Sequence, residues 1–90
     1  MANNFQMFTR KTTETLHIKL TGDFDGSSAS ELINTLAENQ NKYYQIFINT
    51  SKLDTIHPFG QEVLQLRLPE IGDNRLGLVF IGKKIGQALN

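Results

Sequence analysis

Cysteine and tryptophan are both missing from this 90-residue chain, and proline occurs only twice. Without cysteine there is no disulfide, no thiolate nucleophile and no cysteine-ligated metal, and a reducing compartment is permitted. Histidine is scarce too: His17 and His57 stand far apart and do not make a metal constellation. Charge of neither sign is in excess. Nine basic and nine acidic residues are mixed along the chain, for a formal net charge of zero. The electrostatic footprint of a nucleic-acid binder is therefore missing, and so is a polybasic membrane-targeting tract. No apolar run approaches the roughly 20 residues of a membrane-spanning helix. The opening Met1-Ala2-Asn3-Asn4 has neither the charged nor the apolar region of a signal peptide. The expectations are no cofactor, no metal, no nucleic-acid partner, no direct membrane insertion and a cytoplasmic location.

What remains is a composition ordinary for a globular protein, with 39% hydrophobic residues. Ninety residues supply one modest core and little apolar surface for a deep ligand cavity, so a single domain over residues 1–90 is expected. Residues 4–10, with Phe5, Met7 and Phe8, predict an edge strand, and the polar residues 11–14 a hairpin turn. Leu16, Ile18 and Leu20 alternate with His17, Lys19 and Thr21, which predicts a strand over 15–21 with one dry and one wet face. A Gly/Asp-rich loop over 22–26 follows. Ser28 with Glu31 has the spacing of a capping box, predicting a helix start there. Ala29, Leu32, Ile33, Leu36 and Ala37 form its apolar stripe, and residues 39–42 end it.

Residues 44–49 contain the unbroken run Ile46-Phe47-Ile48, suited to a parallel strand covered on both faces. Residues 50–56 predict a connecting loop. Pro58 stands where a proline is tolerated, in the first turn of a helix. Phe59, Val63, Leu64, Leu66 and Leu68 supply that helix's buried side, with Pro69 in its end. A turn over 72–74, a second apolar strand over 76–81 and a short helix over 83–89 complete the order ββαβαβα. Strand–helix–strand units imply right-handed crossovers, giving an α/β fold with a mixed sheet and helices packed on it.

That order resembles a STAS domain, the fold of anti-sigma factor antagonists, and particular segments carry the resemblance. Leu20-Thr21-Gly22-Asp23-Phe24-Asp25 followed by Ser28-Ala29-Ser30-Glu31-Leu32 is similar to the family's first strand, acidic loop and helix. Ile46 to Leu64, IFINTSKLDTIHPFGQEVL, is similar to its signature strand, loop and helix. The residues over 76–89 resemble the strand and helix after it. The resemblance implies a non-catalytic module whose serine or threonine, at the start of the second helix, is phosphorylated by a partner kinase to release the complex. Here the motif is degenerate. Asn49 replaces the strand-ending Asp, His57 the Asp of the motif, Pro58 its first hydroxyl residue and Phe59 the phosphoacceptor; Gly60 alone survives. Phenylalanine has no hydroxyl to accept a phosphate.

The resemblance thus implies a protein-interaction module without the serine switch. Its partner would be an anti-sigma factor, a switch kinase or a regulatory complex. The face would comprise Asp25, Ser27 and Ser28, then Thr50 and Ser51, then His57, Pro58, Phe59 and Gly60. The alternative is an accessory subunit of a transporter complex. A third reading, from another class, is a phosphohistidine carrier using His57, since amides at a helix start favour an anion; no second histidine or arginine stands beside it in sequence. Asp23, Asp25 and Asp54 read as turn formers and caps more readily than as acid–base or magnesium groups. Gly82-Lys83-Lys84 lacks the remaining residues of a phosphate loop.

Overall fold

The computed structural model describes residues 4–82, with side chains left out over 72–76. Four strands form one sheet in the order β1-β2-β3-β4. They are β1 (Gln6–Lys11), β2 (Thr15–Phe24), β3 (Gln45–Ile56) and β4 (Leu78–Ile81). Two helices, α1 (Gly26–Asn39) and α2 (Pro58–Arg67), connect β2 to β3 and β3 toward β4, and a 3-10 segment, Leu68–Gly77, completes the second connection. β1 runs antiparallel to β2, whereas β2, β3 and β4 are mutually parallel. Each crossover steps to the next strand in the same direction. Right-handed connections then put both helices on one side of the sheet, where they pack on each other.

The core forms on that side. Leu16, Ile18, Leu20 and Phe24 of β2 and Ile46, Ile48 and Leu53 of β3 face Ala29, Leu32, Ile33 and Leu36 of α1. Leu64 of α2 and Leu68 and Ile71 of the 3-10 segment close it. The alternation in β2 is the one its sequence predicts, with His17, Lys19 and Thr21 on the opposite face.

Several sequence expectations are corrected. The loop expected over 50–56 is strand: β3 runs on to Ile56, pairing with β2 past two register irregularities, with Thr50 and Leu53 buried and Ser51, Lys52, Asp54 and Thr55 exposed. Ser28 is not the cap of α1. Asp25 is, its Oδ1 accepting from the Ser28 amide at 3.0 Å, and the helix begins at Gly26. Among the described residues the central run is covered on one face only: Phe47 lies on the face away from the helices and is half-buried. Ala37 is exposed. β4 is shorter than expected and lies at the edge of the described sheet, with 3-10 backbone in place of the turn over 72–74. The helix expected over 83–89 lies outside the described residues.

Along α2 and into the 3-10 segment the buried side is Gly60, Leu64 and Leu68, spaced four apart, and not the stripe that includes Phe59 and Leu66. At 3.6 residues per turn, the Phe59–Val63–Leu66 stripe centres roughly 130° round the helix from the buried one. One helix on one sheet buries one stripe. Val63 is partly covered, while Phe59 and Leu66 are 65% and 75% exposed.

Candidate partner-binding face

The turn between β2 and α1 is held by a small polar knot. Ser28 is buried, and its hydroxyl lies 3.0 Å from both the Asp23 carbonyl and the Asp25 carboxylate. The Ser28 amide donates to the same carboxylate oxygen. That amide, followed by the Ser28 hydroxyl, holds the Asp25 carboxyl below its ordinary pKa, against an opposing contribution from desolvation. Ser28 is therefore a strut of the turn and does not reach the surface as the sequence suggested. Asp25 and Gly26 are partly covered and Ser27 is exposed.

The start of α2 is fastened to that turn. His57, extended as a residue before proline should be, donates its amide to the Phe24 carbonyl at 2.9 Å. Its ring makes no capping hydrogen bond. Pro58 opens the helix and the Gln61 amide returns to the His57 carbonyl at 3.1 Å. Gly60 allows the approach: a Cβ there would stand 2.8 Å from the Phe24 carbonyl oxygen and 2.9 Å from the Asp25 backbone. The Phe59 ring then lies across Gly26, taking the space in which a side chain at that position would sit only 2.6 Å from Cε2.

Asp25, Gly26 and Ser27 thus meet His57, Pro58, Phe59 and Gly60 in one block, with Leu66 continuing the apolar stripe about two turns along α2. Arg67 reaches from α2 to the Ser30 hydroxyl of α1 at 3.2 Å, tying the two helices together behind it. Thr50 and Ser51 do not join this block. Thr50 is buried and its hydroxyl donates to the Ile81 carbonyl at 3.1 Å, bracing β3 to β4. Ser51 is exposed, but its amide and hydroxyl are both bound by Asn49 Oδ1, at 2.9 and 2.7 Å. It precedes His57 by six residues of extended strand, roughly 20 Å at about 3.3 Å per residue. Asn49, standing where the resemblance expects an Asp, therefore closes a local turn of hydrogen bonds within β3.

Among the described residues no three His, Asp or Glu side chains gather as metal ligands. Two helices start side by side, and the aromatic ring occupies the ground between them. Sequence reasoning missed Gly26 as the seat of that ring. It also placed Leu66 inside; the signal available was that two stripes on a ten-residue helix cannot both face one core.

Neither a family model nor a curated protein matches the chain. Solved structures do. The anti-sigma factor antagonist SpoIIAA in its unphosphorylated form aligns with a TM-score of 0.63 and 19% identity, over 94% of this chain and 78% of that one. An antisigma-factor antagonist STAS domain from Rhodobacter sphaeroides aligns at 0.61 and 13%, over 93% and 88%. Mglu aligns at 0.66 and 13% identity over 86% of this chain, which spans only 19% of Mglu's length. With a mixed four-stranded sheet, both helices on one side and these structural likenesses, the chain has the STAS-like fold.

Proposed function

We propose that this chain is a non-catalytic interaction module of the anti-sigma factor antagonist type. It binds a regulatory protein partner, an anti-sigma factor or switch kinase, through the outer stripe of α2 and the adjoining β2–α1 turn. The observation that carries the proposal is Phe59: where the STAS resemblance puts a phosphoacceptor, an aromatic ring stands 65% exposed on a helix start. Exposed aromatics packed on rigid backbone make good anchors, because they bury much area at little entropic cost. Leu66, also exposed, extends the same apolar stripe. Binding through such a stripe is constitutive, since nothing at position 59 can be phosphorylated.

Capture on the tagged chain, with mass spectrometry of the captured proteins and of the bait's intact mass, tests this. Recovery of a kinase or anti-sigma factor with bait of unmodified mass is the expected result. Phe59→Ala should then lose about 2 kcal/mol or more of binding, with thermal unfolding unchanged. Capture of transporter or envelope components, or bait heavier by one phosphate, would overturn it.

A further inference from the structure

We propose that the helix-free face of the sheet is a second docking surface, for a partner-protein segment in which carboxylates flank apolar side chains. Among the described residues no element covers this face. Phe8, Arg10, His17, Lys19, Phe47 and Ile81 line a shallow depression across all four strands, with a volume of about 350 Å³. Register fixes them on one side: Phe8 lies opposite Lys19, Arg10 opposite His17, His17 opposite Phe47, and Asn49 opposite both Lys19 and Ile81. Phe8 and Ile81 remain 48% and 46% exposed, so apolar surface is left in water on this side as well as on α2.

Charge selects the occupant. The depression has two cationic side chains, Arg10 and Lys19, and no carboxylate in its lining. Asp23 is the acidic residue of β2, and it stands toward the far end of that strand. A second copy docked face to face would set these cations against their equivalents. The chain's own segment 83–90 carries Lys83 and Lys84 and no acidic side chain, so it is no better matched. An acidic, apolar segment from another protein satisfies both features of the face.

The rings argue against a nucleobase. His17 and Phe47 stack at 4.9 Å between centroids and 15° between planes. That spacing is close to the separation of neighbouring strands, so the two rings stand face to face across β2 and β3. Lys19 Nζ lies 5.4 Å from the Phe8 ring centroid, over its face. Base-stacking sheets keep aromatic faces free for the bases; here they are engaged by neighbours. What is offered is a row of ring edges and aliphatic groups beside cations, which fits leucine- or phenylalanine-sized side chains and neighbouring carboxylates.

The test pans a displayed library of random peptides, each about a dozen residues long, on the immobilised full chain. The enriched peptide is then titrated by amide NMR. Enrichment of Asp and Glu between Leu, Ile or Phe is expected, with amide shifts on β1, β2 and β3 around residues 8–10, 17–19 and 47–49. Arg10→Gln with Lys19→Gln should weaken that peptide roughly tenfold, with the thermal unfolding of the variant checked beside it. No enrichment would overturn the proposal, as would shifts confined to α2 or affinity indifferent to the two cations. Displacement of the peptide by a poly-uridine oligonucleotide would assign the face to nucleic acid instead. Concentration-dependent broadening of the same amides without peptide would assign it to a second copy.

Discussion

Two glycines at the candidate face separate stability from binding. At Gly60 a methyl group would meet backbone atoms of Phe24 and Asp25, which cannot step aside without moving the helix or the strand. Gly60→Ala should therefore cost about 1–3 kcal/mol in denaturant unfolding, the range for overpacking a rigid site. At Gly26 the obstruction is only the Phe59 ring, the mobile end of a side chain. Gly26→Ala should leave the unfolding midpoint nearly unchanged but displace the ring and weaken the partner held by α2. Equal unfolding losses in the two variants would show that the ring is fixed as firmly as the backbone. Neither role was legible in the sequence. Gly60 stood out as the surviving residue of a motif and Gly26 as part of a loop, but the contact that gives each its meaning joins segments more than thirty residues apart.

At the scale of elements, the strands and helices were legible wherever apolar spacing met a single buried face, as in β2 and α1. They were obscured where polar residues sit in regular structure. β3 is the clearest case: Thr50, Ser51, Lys52, Asp54 and Thr55 read as loop, yet the strand carries Ser51, Lys52, Asp54 and Thr55 outward and keeps Thr50 and Leu53 inside. The α1 start was misplaced by three residues for a related reason. Ser28 and Glu31 mimic a capping box, but Asp25 reaches the Ser28 amide first and the serine turns inward. This cap gives the element a pH signature. The folded state holds the Asp25 carboxyl below its ordinary value, so it favours the ionised form. Its contribution is complete above the ordinary aspartate value near 4 and is lost as pH falls through the lowered one. Asp25→Asn keeps an oxygen acceptor and removes the titration. The stability difference between wild type and Asp25→Asn should hold constant above about pH 5 and shrink on acidification below about 4. A difference constant throughout that range would detach the cap from the charge.

Among the described residues the molecule is a one-sided sandwich: helices and core on one face of the sheet, an aromatic and cationic surface on the other. One core implies one cooperative transition. Leu20→Ala or Ile48→Ala, each at a fully buried position of a central strand, should cost about 2–5 kcal/mol and lower the melting of every element together. The same layout puts the α2 stripe and the open sheet face on opposite sides of β2 and β3, with the core between them. Among the described residues the two proposed surfaces share no residue, and independent sites without shared partners act additively within about 0.3–0.5 kcal/mol. A complex of this chain with its α2 partner should therefore take up the acidic peptide with the affinity of the free chain, and Phe59→Ala combined with Lys19→Gln should show the sum of the two single losses. Calorimetric titration of the peptide into the preformed complex reads this directly. Equal affinity makes the chain an adaptor that joins two proteins through opposite faces. Exclusion of the peptide would mean that the partner wraps from α2 onto the sheet and that a single ligand occupies both.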